Sequence, residues 1–302
     1  MKIKTLICGL GQIGMTYDYK SNHIISHCKN IEHNKNFHLI GGVDKDYQKR
    51  MLFEKKYKKK SYSDIARAVN KTNPELIVFS LEIKKLSFLK KILTSKNLKF
   101  LVFEKPFLIS NKDFSKLIKI IKSTNKIILV NFNRSYSKHY IDIKNILSKS
   151  TFGKLKFVKF YSSRNVLSNF SHFLFFLIDY LNKSISNIKK NDKNFNFISG
   201  KINFDLKEIT NLNYFFFNLS LYFDKGLVRI YGPPDKIEIF KSSKDKIYNN
   251  QNNLKLLKKK DVPINYNEIY KFISLLKKKR KNNYSYKNLK KYLLLINKIV
   301  NI

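Results

Sequence analysis

Ile3-Lys4-Thr5-Leu6-Ile7-Cys8 runs directly into Gly9-Leu10-Gly11-Gln12-Ile13-Gly14, and the reading of this stretch decides the fold. A short apolar run ended by closely spaced glycines reads as a buried strand, a tight turn and the opening of a helix. Gly9 permits the turn, Gly11 lets a pyrophosphate approach the backbone, and Gly14 allows close helix–strand packing. The free N–H groups and positive end of the helix then hold the phosphates. A tight turn without a ligand is the competing reading of an isolated match; the strand–turn–helix context favours a dinucleotide site.

Outward from that turn, His38–Val43 reads as a second strand ending in Gly41-Gly42-Val43-Asp44. A carboxylate there accepts hydrogen bonds from the adenosine ribose hydroxyls and repels a 2′-phosphate, which favours NAD over NADP. Lys45 and Lys49 soften that preference, and a plain turn residue is the other reading of Asp44. The spacing from the glycines exceeds the usual ~20 residues; an insertion at Tyr17–Ile25, between turn and helix, accounts for the excess. Further strands at Glu75–Ser80, Lys99–Phe103 and Lys126–Asn131 alternate with helices at Ser63–Asn70, Lys84–Leu93 and Asn111–Ser123. That rhythm predicts a parallel sheet covered on both sides. Ser80 and Leu81 follow the fourth strand and Glu104-Lys105-Pro106 the fifth, at strand ends where open parallel sheets hold their ligands. Lys105, beside a glutamate and a proline able to adopt the cis form, can stand next to a nicotinamide; a surface lysine is the alternative.

Beyond residue 131 the rhythm changes, so the chain divides into 1–131 and 132–302. A helix at Tyr140–Leu147, a strand at Lys154–Ser162 and the apolar segment Phe170–Leu181 precede antiparallel strands at Asn213–Phe223, Lys225–Tyr231 and Lys236–Phe240. Helices at Asn267–Lys279 and Tyr286–Val300 close an α+β domain. His172, in Ser168-Asn169-Phe170-Ser171-His172-Phe173, reads either as a catalytic base or as a packed core histidine. His23, His27, His33, His38 and His139 show no ligand spacing with carboxylates, so no metal site is expected.

At 43% hydrophobic residues the chain is too apolar to be disordered. Two cysteines, Cys8 and Cys28, cannot form a disulfide framework. With no apolar run of membrane-spanning length and no signal-peptide pattern at the start, a cytoplasmic protein without membrane association is expected. A net charge of +40 suggests nucleic acid, but only six of the 61 basic residues are arginine, the residue that reads bases bidentately. Alanine is rare while Lys, Asn, Ile, Phe and Tyr abound, as an A/T-rich coding bias produces. The runs Lys55–Lys60, Lys84–Lys91, Leu254–Lys260 and Lys277–Lys281 are scattered like solvated helix faces, so no nucleic-acid partner is expected.

Gly9–Gly14, Gly42-Val43-Asp44, Glu104-Lys105-Pro106 and the Ser171-His172 pair, in this order, resemble the glucose–fructose oxidoreductase/inositol dehydrogenase/MocA family of nicotinamide-dependent oxidoreductases. Met15–Tyr19, Val130–Ser135 and Tyr161-Ser162 with Asn169–Phe173 are similar to a branch associated with surface-glycan biosynthesis. The resemblance implies a Rossmann domain followed by an α+β domain whose open, mainly antiparallel sheet serves as a homo-oligomer interface. It implies that Gly9, Leu10, Gly11, Gln12, Ile13, Gly14, Asp44, Ser80, Leu81, Glu104 and Lys105 hold NAD. Lys105 would hydrogen-bond the reacting hydroxyl, and His172 would take its proton as hydride leaves. Arg134, Tyr161 and Asn169 would bind a sugar-type substrate. Where many members carry an aspartate before the histidine, the chain has Ser168 and Asn169, so any proton relay rests on His172. Lys85 stands where many have histidine, and Arg134-Ser135 where the branch has paired arginines. The expected activity is hydride transfer between NAD and a carbinol carbon of a sugar or nucleotide sugar. Redox-neutral sugar chemistry assisted by NAD, and a non-catalytic cofactor sensor, are the alternatives.

Overall fold

The computed structural model describes residues 2–81, 88–148, 152–181, 185–245, 247, 251–263, 266–278 and 286–300. The chain divides into two compact units, Met1–Asn133 with Asn265–Tyr286, and Arg134–Ile264 with Lys287–Ile302.

In the first unit, β1 (Ile3–Cys8), β2 (Phe37–Val43), β3 (Ser61–Tyr62), β4 (Leu76–Phe79), β5 (Phe100–Phe103) and β6 (Ile127–Val130) form a parallel sheet in the order β3-β2-β1-β4-β5-β6. This is the doubly wound order that places a ligand crevice between the turns after β1 and β4. Leu-Ile-Val-Phe, Phe-Leu-Val-Phe and Ile-Ile-Leu-Val in β4, β5 and β6 are buried throughout, as a sheet covered on both faces requires. The helices of this half are α1 (His27–Glu32), α2 (Tyr47–Tyr57), α3 (Ile65–Thr72), α4 (Leu89–Ile92) and α5 (Asn111–Thr124). Residues 84–87 of the helix expected at Lys84–Leu93, Lys85 included, lie outside the described residues, as do 279–281 of the last lysine run.

The turn does not open directly into a helix. Gly11–Met15 forms turns and Thr16–Asp18 a 3₁₀ segment, and α1 begins only at His27. The N–H groups of His27 and Cys28 nevertheless donate to the carbonyls of Ile13 and Gly14, at 2.9 and 3.0 Å. In a continuous helix the Ile13 carbonyl would receive residue 17; receiving residue 27 instead, it shows ten residues looped out with the helix resumed in phase. Asp44 lies 30 positions after Gly14, and 20 once those ten are set aside. The buried Asp18 carboxylate closes the loop by accepting the N–H groups of Ile25 and Ser26 at 2.6 and 2.8 Å. Burial raises that carboxyl, but hydrogen bonds from Ser26 and Ile25 outweigh it and hold it below its ordinary range.

The last part of this unit is a difference from the sequence-based division, which assigned everything after 131 to one domain. A late helix, Glu268–Lys278 (α9, after three helices of the second half), belongs to the first unit because Ile269, Tyr270 and Ile273 are buried there. Tyr270 packs edge-on to Phe37, and Lys277 pairs with the buried Glu75 at 3.1 Å.

The second unit carries α6 (Asn133–Tyr136), α7 (Lys138–Leu147), β7 (Leu155–Ser162), α8 (Val166–Phe176) and α10 (Lys287–Val300). Its sheet adds β8 (Ser186–Asn191), β9 (Asn194–Ser199), β10 (Ile202–Glu208), β11 (Phe217–Phe223), β12 (Gly226–Gly232), β13 (Asp235–Lys244) and β14 (Asn252–Val262). The order is β14-β13-β12-β11-β7-β10-β9-β8, antiparallel except for β7 with β10. α8 lays Phe170 and Phe173 on Phe160, Phe204 and Phe217, making an aromatic core on one sheet face. Leu254–Lys260 is not a solvated helix face: it forms most of the edge strand β14, paired to β13 and exposed almost throughout. Lysines on such an edge keep it from pairing with another chain. No helix among the described residues is long and apolar enough to cross a membrane.

Candidate functional site

In the first unit the ends of β1, β4 and β5 converge on a cleft of about 310 Å³ lined by Ile13, Ser80, Leu81 and 103–108. Gly9 adopts φ +97°, a conformation open to glycine, and a Cβ there would lie 2.9 Å from the Ser80 carbonyl. At Gly14 a Cβ would fall 2.0 Å from the Gly9 carbonyl oxygen and 2.8 Å from Ser80 Oγ. The Ser80 hydroxyl donates to the carbonyls of Gly9 and Cys8, so Ser80 ties the turn to the fourth strand. Gly11 differs: a Cβ there would meet nothing within 4 Å. The fold therefore requires glycine at 9 and 14, while the space above Gly11 is left open, as close approach of a pyrophosphate demands.

Asp44 faces the same turn. Its carboxylate accepts the Leu10 N–H at 2.7 Å and the Asp46 N–H at 3.0 Å, which leaves each oxygen lone-pair capacity for a ribose hydroxyl. Arg50 donates to the carbonyls of Asp44 and Lys45, both at 2.9 Å, and so holds the strand end from below. These residues fit the adenosine half of a dinucleotide.

At the other end, the Lys105–Pro106 peptide is cis. Glu104 is nearly enclosed: Oε1 accepts from His27 Nε2 at 2.8 Å and from the Asn131 amide, and Oε2 accepts the Lys105 N–H at 3.2 Å. His27 Nδ1 in turn meets the Tyr270 hydroxyl at 2.6 Å. Burial raises the Glu104 carboxyl, yet the hydrogen bond and charge of His27, the Asn131 hydrogen bond and the Lys105 charge bring it below its ordinary value. The Tyr270 hydroxyl is pushed well up by burial. Sequence reasoning gave His27 no carboxylate partner and missed Tyr270; the usable signal was the insertion, since removing ten residues puts His27 on the first turn of the helix after the glycines.

In the second unit, His172 sits in the middle of α8 and is 8% exposed. Asn169, on the same helix, donates to the Arg164 carbonyl at 2.5 Å and to Ser162 Oγ at 3.2 Å, which fixes the loop entering α8. Tyr161 was expected to bind substrate near these residues. Strand alternation instead puts Ser162 and Phe160 toward α8 and Tyr161 on the opposite face, where its hydroxyl meets Asp205 at 3.2 Å and its ring lies under Lys159 and Lys207. Arg134 makes a two-pronged pair with the buried Asp235, at 2.8 and 2.9 Å, and stacks over Phe173 and Phe217. Its charge is answered inside the unit, with Tyr140 completing the Asp235 contacts. Among the described residues no group of three His, Cys, Asp or Glu could hold a metal ion.

No protein-family model matches the sequence, and no curated protein matches it. Solved structures do match in fold. A super-repressor mutant of Gal80p from Saccharomyces cerevisiae superposes with TM-score 0.75 at 10% identity, covering 100% of this chain and 96% of that one. An oxidoreductase from Agrobacterium radiobacter, in complex with NAD+, L-tartaric acid and magnesium, gives 0.70 at 13% identity over 98% and 95%. A mutant of KijD10, a 3-ketoreductase from Actinomadura kijaniata in complex with TDP-benzene and NADP, gives 0.72 at 8% identity over 100% and 98%. The chain has the fold of these proteins, a Rossmann unit joined to an α+β unit with a largely antiparallel sheet.

Proposed function

We propose that the chain is a nicotinamide-dependent oxidoreductase of the glucose–fructose oxidoreductase/inositol dehydrogenase/MocA type. It would move hydride between NAD and a carbinol carbon of a sugar or nucleotide sugar, in surface-glycan biosynthesis. The observation that carries the reading is the Gly9–Gly14 turn, with its open space above Gly11, between Asp44 at one end and Glu104-Lys105-Pro106 at the other. The turn receives the pyrophosphate, Asp44 the adenosine ribose, and the cleft by Lys105 the nicotinamide. A bound nicotinamide supplies the hydride acceptor or donor. Lys105 hydrogen-bonds the reacting hydroxyl and His172 takes its proton; the last two roles rest on the family resemblance.

The test is a panel of nucleotide sugars with NAD, followed by absorbance of the reduced cofactor. Lys105→Ala and His172→Ala should each lower turnover by about 10²–10⁴, the contribution of a positioned acid–base group. Near-native turnover in His172→Ala would make that histidine core packing. The fold likeness to Gal80p, a repressor by name, favours one second reading, a cofactor-binding sensor without turnover. Tight NAD binding with no reduced cofactor formed from any substrate would support it, whereas substoichiometric reduction accompanied by sugar cleavage or elimination would point to redox-neutral chemistry.

A further inference from the structure

The dinucleotide crevice has two ends, and Asp44 at the end of β2 claims the adenosine half. The strand order then runs the other half across β4 and β5, over Ser80 and the Glu104-Lys105-Pro106 segment. Behind that segment lies a chain of hydrogen bonds drawn from three separate parts of the sequence: Tyr270 on α9, His27 at the first turn of α1, and Glu104 after β5. Asn131, one residue past β6, adds a second contact on the same carboxylate oxygen. Glu104 then accepts the backbone N–H of Lys105.

The directions of these bonds follow from the donors available. Glu104 as a carboxylate only accepts, so His27 Nε2 carries a proton and donates. The Tyr270 hydroxyl, able to donate or to accept, meets Nδ1, so both ring nitrogens are partnered. The looped-out segment makes the arrangement more telling. Ten residues interrupt the helix, yet it resumes in phase, so His27 takes the position residue 17 would have held and its ring reaches Glu104.

We propose that His27 is a positioning residue for the nicotinamide end of the site: held at Nδ1 by Tyr270 and donating from Nε2, it fixes the Glu104 carboxylate and through it the Lys105 backbone. This rests on the nicotinamide reading above. It predicts that the chain loses recognition of the nicotinamide half, and not of the adenosine half, when His27 is removed.

The experiment titrates the full-length protein calorimetrically with NADH and with ADP-ribose, which lacks the nicotinamide ring. Wild type should bind NADH more tightly than ADP-ribose. His27→Ala should weaken NADH about tenfold or more, the scale of a lost hydrogen bond to a charged group, with ADP-ribose changed less than about twofold. Should His27→Ala lose ADP-ribose as well, as a misfolded protein would, Tyr270→Phe decides: it keeps the ring and removes only the hydroxyl, and it should lower the NADH to ADP-ribose preference at least about threefold. Nitrogen NMR of the His27 ring at pH 7 should show a protonated Nε2; an unprotonated Nε2 overturns the assignment. Variants that keep the full NADH preference overturn the inference and leave the cofactor reading standing. A wild type that binds neither ligand overturns both.

Discussion

Gly11→Ala and Gly14→Ala separate what the glycine turn does for the fold from what it does for a ligand. At Gly14 the new methyl would lie 2.0 Å from a backbone carbonyl oxygen and would displace Ser80 Oγ, 2.8 Å away. Overpacking of about 1–3 kcal/mol, with loss of the Ser80 hydroxyl bond at about 0.5–1.5, destabilises the unit by about 2–4 kcal/mol. The apo midpoint should fall by about 5–15 °C, at about 2–4 °C per kcal/mol for a unit of this size. At Gly11 the methyl enters open space and the apo midpoint should hold or rise slightly, the usual result of Gly→Ala where the conformation is compatible. With bound pyrophosphate that methyl is overpacked, weakening affinity about 10- to 100-fold. In thermal melts with NADH at 100 times the wild-type dissociation constant, wild type gains about 2.7 kcal/mol and Gly11→Ala only about 0.4–1.4. A Gly11→Ala protein that binds NADH as tightly as wild type would refute the assignment of that space to a phosphate.

Asp44→Ser removes the carboxylate that repels a 2′-phosphate, so the ratio of NADP to NAD dissociation constants should narrow by about tenfold, read by calorimetry; a wild type that prefers NADP contradicts the role given to Asp44. Because Glu104 titrates below its ordinary value when folded, its contribution is fully present above about pH 4.3, the unfolded value, and is lost as pH falls through the lower folded one. Urea unfolding at pH 7 and pH 4 should therefore show a smaller acid loss in Glu104→Gln than in wild type, and an equal loss would count against the depressed carboxyl. Asp235→Asn leaves Arg134 without its buried partner and should cost about 3–5 kcal/mol in the second unit, measured by urea unfolding; a cost below about 1 kcal/mol would show the pair to be solvent-screened. The homo-oligomer interface that the resemblance implies on the second sheet would give a multimer by light scattering, converted to monomer by Phe157→Glu with Tyr222→Glu, side chains that touch each other on the sheet; a monomeric wild type would contradict it.

The parts of the fold legible in the sequence were those governed by local apolar runs. β4, β5 and β6 are continuous hydrophobic stretches bounded by polar residues, and β1 is interrupted only by Lys4 and Thr5, as strands of a sheet buried on both faces read. α2 escaped because it buries only Phe53 and Tyr57 and has no apolar stripe. β14 escaped because an exposed edge strand made of Lys and Leu carries no period that burial would impose. β9 and β10 alternate Phe195, Phe197, Ile202, Phe204 and Leu206 inward, a pattern present in the sequence but interleaved with asparagine and lysine. The glycine turn was readable because Gly9, Gly11 and Gly14 act through backbone geometry fixed by neighbours in sequence. The Tyr270–His27–Glu104 chain was not, since its members stand 243 and 77 positions apart and meet only once the sheet is formed.

The central claim, hydride transfer between a nicotinamide and a sugar carbinol carbon, is tested most directly by isotope transfer. The protein is incubated with NADH carrying deuterium at C4, each face labelled in turn, and with keto-sugar nucleotides, and the products are weighed by mass spectrometry. The account predicts a sugar one deuterium heavier, formed from one labelled face alone, with an equal amount of NAD and with yield falling by about 10² or more in Lys105→Ala. A protein that binds the labelled cofactor but moves deuterium to no sugar from either face would contradict it.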